Sequence, residues 1–72
     1  MPKLPRLNTR QVIALLRQRG FVLDHATGSH YIFYHLASKR RVVVPFHRRT
    51  LPLGTLLAIL RAADIHRDEL IH

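Results

Sequence analysis

Apolar residues recur at helical spacing in two segments of the chain, one near each end. In the first segment Asn8 is a favourable N-cap, and Gln11 stands three residues later, as in a capping box. Gly20 stands where a C′ glycine is expected, and Phe21 after it can pack back onto the helix. The pattern predicts a first helix from about Thr9 to Arg19.

The second helical segment has a proline near its start and is mostly apolar. Thr50 is a candidate N-cap, and Pro52 is acceptable in a first helical turn. The segment predicts a second helix over about Leu51 to Ala63, and "IHRDELI" after it predicts one further short turn. Its apolar stripe follows i, i+3, i+4, i+7 spacing and consists of Leu53, Leu56, Leu57, Leu60 and Ala63, with Ile59 beside it.

Between the helices the pattern becomes typical of β-strands. Three segments, "FVLDHA", "SHYIFYHL" and "RVVVPF", are rich in branched and aromatic residues. Thr27 and Gly28 separate the first two and form a turn signal that allows a positive φ at Gly28. "ASKR" separates the last two strands. Alternation along the middle strand places His30, Ile32 and Tyr34 on one face, and Tyr31, Phe33 and His35 on the other.

These elements predict an α+β fold with the order α-β-β-β-α. Connections this short require the three strands to form an antiparallel meander. Both helices can cover one face of the sheet, which leaves the other face open to water or to a partner. Seventy-two residues make a single domain, residues 1–72.

Charge is the strongest feature of the composition. Twelve Lys and Arg stand against four Asp and Glu, which gives a formal net charge of +8. Such a chain attracts polyanions, most commonly nucleic acid. Cysteine is absent, which excludes disulfides and thiolate metal sites. No apolar run approaches a membrane span, and the N-terminus lacks a signal-peptide core, so we expect a cytoplasmic protein.

The basic residues form two clusters that flank the third strand. Lys39, Arg40 and Arg41 lie on the hairpin before it, and Arg48 and Arg49 follow it. A charge run usually marks a solvated face, but two clusters in a chain with few acids favour contact with RNA phosphates. The aromatic residues Tyr31, Phe33, Tyr34 and Phe46 are candidates for base stacking, and core packing is expected for about two of them.

Six histidines raise the question of chemistry. His30 follows a Gly-Ser step, and from composition alone it is a strand-start residue that hydrogen-bonds the turn. His47 borders the second basic cluster and is either an acid–base or phosphate-binding group or a solvated loop residue. A histidine metal site is the rival interpretation, but the spacing matches no metal motif. The remaining histidines are expected on strand surfaces (His25 and His35) or in the tail (His66 and His72).

The ordered set "LLRQRGF", "GSHYIF", "VVVPFH" and "LGTLLAILRAADI" resembles the HicA toxin family of toxin–antitoxin systems. The resemblance implies a fold like that of double-stranded-RNA-binding domains. It also implies a type II toxin that acts as a metal-independent mRNA interferase and is neutralised by a HicB-like antitoxin. The catalytic histidine of the family's GSH motif corresponds to His30.

A metal-free cleavage of RNA needs no cofactor, and phosphate contacts complete the expected site. Gly28 can let a phosphate approach the backbone, and Ser29 can donate a hydrogen bond to it. The expected RNA-binding residues are Gly28, Ser29, Lys39, Arg40, Arg41, His47, Arg48 and Arg49. Two alternatives remain open: a non-catalytic RNA-binding module, and a protein-interaction module whose basic face matches an acidic partner.

Overall fold

A computed structural model describes residues 5–46 and 49–70 of the chain. The predicted order α-β-β-β-α is confirmed, and a short 3₁₀ helix follows it. The elements are helix α1 (Thr9–Gln18), strands β1 (Val22–Ala26), β2 (His30–His35) and β3 (Arg40–Pro45), helix α2 (Leu53–Ala63) and the 3₁₀ helix Arg67–Leu70.

Helix α1 begins and ends as its sequence predicts. The Asn8 side chain accepts a hydrogen bond from the Gln11 backbone, and the Gln11 side chain accepts one from the Asn8 backbone, which completes a capping box. At the other end the Phe21 N–H donates to the Leu16 carbonyl, and Gly20 takes a φ of +90°. This is the Schellman arrangement, and it brings the Phe21 ring into the core.

The sheet is an antiparallel meander with strand order β1-β2-β3. Phe33 of β2 pairs with Val42 of β3, and both side chains point to the face that carries the helices, where they are buried. We call this the helix face. The opposite face, which carries His30, Ile32 and Tyr34 of β2, is the open face, and the predicted alternation along β2 is confirmed.

Helix α2 begins later than its sequence predicts. Leu56 N–H donates to the Pro52 carbonyl, so Pro52 is the N-cap and no side chain caps the helix. The expectation of a Thr50 cap is therefore wrong. Thr50 instead pairs with Asn8 as an isolated bridge, and the Leu51 N–H donates to the Leu7 carbonyl. The backbone before α2 is thus held by the segment before α1.

The core lies between the helices and strands β2 and β3. It takes Val12 and Leu16 from α1, together with Leu56, Ile59, Leu60 and Ala63 from α2. Strand β1 is an edge strand, and every residue in it is exposed. In the described part of the chain, neither helix has the length and apolarity needed to cross a membrane.

Candidate active site and nucleic-acid interface

The turn between β1 and β2 is organised by a threonine hydroxyl. Thr27 N–H donates to the His30 carbonyl at 2.8 Å, and the reciprocal His30 N–H donates to the Thr27 side-chain oxygen at 3.0 Å. The same oxygen lies 3.4 Å from the Ser29 nitrogen. Thr27 therefore fixes the backbone at the start of β2, a role that the sequence pattern alone did not assign.

Two further contacts fix this end of the sheet. The Phe46 N–H donates to the Ser29 carbonyl at 2.8 Å, which joins the turn to the end of β3. The buried Thr9 hydroxyl donates to the carbonyl of Pro45 at 2.8 Å, and Pro45 is the residue that pairs with His30. The first turn of α1 thus holds the strand beside the candidate histidine.

His30 itself is exposed on the open face. Its Nδ1 atom lies 2.9 Å from the hydroxyl of Ser29. The expected contact between the histidine and its turn is therefore present. A ring held at Nδ1 and exposed to solvent can exchange a proton with a bound molecule through Nε2.

Gly28 differs from its expectation in one respect. Its φ lies outside the left-handed region. Among the glycines of the described residues, Gly20 is the one with a positive φ. The turn therefore does not require a glycine for its backbone angle. A side-chain Cβ at Gly28 would meet no atom within 4 Å, so open space lies beside the turn.

The first basic cluster lies at the far end of β3 from His30. Arg41 pairs with Tyr34, four residues along β2 from His30, which corresponds to about 13 Å. Arg41 is on the open face, with its guanidinium 5.3 Å from the centre of the Tyr34 ring. Arg40 points to the helix face instead, where its side chain lies 3.4 Å from the Ala62 carbonyl.

The second basic cluster follows Pro45, the residue of β3 that pairs with His30, along the chain. His47 and Arg48 fall outside the described residues, and Arg49 is exposed. Lys39 in the first cluster is also exposed and takes a φ of 60° in the turn before β3. Of the cations on β3, Arg41 therefore shares the open face with His30, whereas Arg40 lies on the helix face.

Two of the four aromatic residues face outward. Phe33 is buried in the core, and Tyr31 packs against it. Tyr34 is half-buried on the open face, and Phe46 is exposed, with its ring centre 6.1 Å from that of Tyr31. Tyr34 and Phe46 are the two available for stacking on a base.

His35 does not lie on the strand surface as expected. It points to the helix face, where its ring centre is 5.0 Å from that of Phe21. The Ser38 backbone N–H donates to its Nδ1 atom at 3.1 Å, so this nitrogen carries no hydrogen. His35 is therefore a partly buried residue that holds the turn before β3.

His25 is exposed as expected, but it has a partner that the sequence pattern does not indicate. Its Nδ1 atom lies 2.7 Å from Asp24 Oδ2, and Arg41 Nη1 lies 3.4 Å from the same oxygen. The hydrogen bond from His25, assisted by Arg41, lowers the pKa of the Asp24 carboxyl. Sequence adjacency of the two residues was the available signal. Alternation along a regular strand argues against the contact, because neighbours then point to opposite faces.

No three His, Asp or Glu side chains converge as metal ligands within residues 5–46 and 49–70. The Asp24–His25 pair is instead completed by an arginine, which is not a metal ligand. The arrangement is suited to holding a proton rather than a cation.

Comparison with known families agrees with the order of elements and motifs. The family model for the HicA toxin of bacterial toxin–antitoxin systems matches residues 9–65, which include all three strands and both α-helices. No curated protein matches the chain in sequence.

Proposed function

The chain belongs to the HicA toxin family, and from that premise we propose that it is a metal-independent endoribonuclease that cleaves mRNA. The observation that supports this function best is the position of His30. Within the family match, the histidine of the Gly-Ser-His segment is exposed on the open face, beside a turn with free space around it. His30 is the proposed catalytic residue.

The proposed chemistry uses the RNA itself as the nucleophile. The 2′-oxygen attacks the adjacent phosphorus while a base removes its proton, and the bond to the 5′-oxygen breaks as an acid protonates that oxygen. A histidine can perform either transfer near neutral pH, and each is worth roughly 10²–10⁴-fold in rate. The products are a 2′,3′-cyclic phosphate and a 5′-hydroxyl, and DNA is inert because it has no 2′-hydroxyl.

We assign phosphate binding to the turn beside His30 and to the basic residues at both ends of β3. Gly28 and Ser29 border the open space at the turn, and Arg41 extends the same face toward the far end of the sheet. Lys39, Arg40, His47, Arg48 and Arg49 complete the proposed RNA-binding set. Since these contacts are to the backbone of the RNA, affinity should fall steeply as salt is raised.

A HicB-like antitoxin is the proposed protein partner. The open face carries the exposed apolar side chains of Val22 and Val43 in addition to Arg41. An acidic partner seated there would match the net charge of +8 and would cover His30 at the same time.

The test is RNA cleavage in EDTA, with analysis of the product ends. Wild-type protein should produce cyclic phosphate ends, and His30→Ala should lower the rate roughly 10²–10⁴-fold. His66→Ala is the matched control, since His66 is an exposed histidine beyond α2. An equal rate for His30→Ala and wild type would contradict the assignment, and inhibition by EDTA would contradict the metal-independent mechanism.

Two other results would favour the alternatives. Salt-dependent RNA binding without any cleavage product would indicate a non-catalytic RNA-binding module. Absence of RNA binding at low salt, together with a co-purifying protein, would indicate an interaction module.

A further inference from the structure

The open face carries a histidine–carboxylate pair that the proposed function does not use. Asp24 Oδ2 and His25 Nδ1 are 2.7 Å apart, and the two side chains are 43% and 56% exposed. Both groups are thus accessible to a ligand on the sheet. They belong to β1, whose residues neither helix covers.

A break in strand register places these two neighbours together. Val22 pairs with Tyr34 and Leu23 with Phe33, but the next pair joins His25 to Ile32, so Asp24 is an extra residue between them. Such a β-bulge changes the face to which the following residues point. His25 therefore shares the open face with Ile32. Without the bulge, alternation from Leu23 would turn it to the helix face.

The partners of Asp24 determine which nitrogen of His25 carries the hydrogen. The His25 hydrogen bond and the Arg41 guanidinium lower the pKa of Asp24, so its carboxylate is ionised at neutral pH and can only accept. His25 Nδ1 must then donate. In the neutral ring this leaves the lone pair on Nε2, the form that a general base requires.

The register also places His25 near His30. His25 is opposite Ile32, and His30 is two residues before Ile32 on the same face. The two histidines are therefore diagonal neighbours, with α-carbons about 7–8 Å apart, a spacing that aromatic side chains can bridge. Within the described strands, the other titratable or charged groups that face this side of the sheet are Asp24, Tyr34 and Arg41.

We propose that His25, oriented by Asp24, is the general base of the RNA cleavage, with His30 as the general acid; this rests on the proposed function. His25 Nε2 takes the proton of the 2′-hydroxyl as the new bond to phosphorus forms. His30 gives a proton to the 5′-oxygen as the old bond breaks. One ring gains a proton and the other loses one, so the number of protons is balanced. Proton exchange with water restores both rings.

A second histidine–aspartate pair provides matched controls. His66 Nδ1 and Asp68 Oδ2 are 3.4 Å apart, and both side chains are 77% exposed. This pair lies beyond α2 and outside the sheet. Substitutions there change the same chemical groups without touching the open face.

The first experiment compares His25→Gln with His66→Gln in single-turnover RNA cleavage from pH 4 to pH 10. His25→Gln should lower the rate roughly 10²–10⁴-fold. It should also remove the acidic limb of a bell-shaped profile, because that limb reports protonation of the base. His66→Gln should match wild type. A wild-type rate and profile for His25→Gln would overturn the proposal.

The second experiment separates the base from the acid. An RNA with sulfur in place of the 5′-bridging oxygen at a mapped cleavage site has a leaving group that needs no proton. His30→Ala should regain most of the lost rate on this substrate, whereas His25→Gln should not. Recovery by His25→Gln instead would overturn its role as the base.

Asp24 is a positioning residue, and its test is Asp24→Asn beside Asp68→Asn. Loss of the carboxylate should lower kcat roughly tenfold or more and leave KM for RNA unchanged, because the side chain no longer fixes the His25 ring with its lone pair on Nε2. A kcat equal to that of wild type would overturn this role. Cleavage by wild type with no effect of His25→Gln overturns this inference alone, whereas no cleavage by wild type overturns the proposed function as well.

Discussion

At the scale of single residues, Gly20 and Gly28 differ in what a side chain would meet. A Cβ at Gly20 would lie 3.1 Å from His35 Nε2, and the backbone there has a φ of +90°. A larger residue would therefore be disfavoured both by this close contact and by the backbone angle. Gly28 has an ordinary φ and open space around it. The fold therefore explains the first glycine, whereas no contact within the described residues requires the second.

Gly28→Ala should fold as wild type and bind RNA less well. Its melting temperature should be unchanged or slightly higher, because the methyl group meets no protein atom and alanine loses less backbone freedom on folding. KM for RNA cleavage should rise, since the methyl group occupies space proposed for a phosphate. Gly20→Ala is the contrasting variant and should lose about 1 kcal/mol of stability or more. An unchanged KM for Gly28→Ala would remove Gly28 from the proposed RNA site.

The residues of the site were predictable from the sequence to different degrees. His30 could be placed at the start of a strand and on a defined face, because alternation along β2 is regular. The exposure of His25 was predictable, but its face of the sheet was not, because one extra residue in β1 reverses the faces beyond it. A bulge depends on pairing with the neighbouring strand, which no local pattern records.

At the scale of elements, the two helix starts show when local signals suffice. Asn8 and Gln11 form the capping box that their spacing predicts. Thr50 has an equally suitable side chain, but the backbone around it pairs with the segment before α1. A tertiary contact has thus displaced a local cap, and α2 begins after Pro52 with no side-chain cap.

This difference predicts unequal effects of two alanine substitutions. Asn8→Ala should lower the free energy of unfolding by about 0.5–2 kcal/mol, because it leaves the Gln11 backbone N–H without its side-chain acceptor. Thr50→Ala should cost much less, since the exposed threonine side chain caps no helix. Urea denaturation of both variants measures the comparison. Equal losses would mean that Thr50 does act as a cap in solution.

At the scale of the whole molecule, the four acidic residues are all engaged. Asp24 contacts His25, Asp64 lies 3.8 Å from Arg40, Asp68 lies near His66, and Glu69 binds Arg19. The excess of cations is therefore not offset by free carboxylates. The small number of acidic residues can be read from the sequence, but their partners cannot. Three of the four acids lie after α2, and the fold decides which cations they contact.

Glu69 joins that last segment to helix α1. Its carboxylate accepts hydrogen bonds from the Arg19 side chain and, at 2.6 Å, from the His66 backbone N–H. These bonds lower the pKa of Glu69 below its ordinary value, with the Arg19 hydrogen bond as the largest cause. A carboxyl whose pKa is lowered by folding stabilises the fold above its unfolded pKa, and the contribution disappears as pH falls through the folded pKa.

Glu69→Gln should therefore reduce the melting temperature at pH 7. It should also make the melting temperature depend less on pH under acidic conditions. The unfolded pKa of glutamate is about 4.3, so the wild type begins to lose this contribution near that pH. The two melting curves should converge as the pH falls further, because protonated Glu69 no longer pairs with Arg19. Thermal unfolding from pH 7 to pH 2, followed by circular dichroism, measures both effects. Asp68→Asn is the control for removal of an acid from the same 3₁₀ helix, and a gap between wild type and Glu69→Gln that is constant with pH would contradict the linkage.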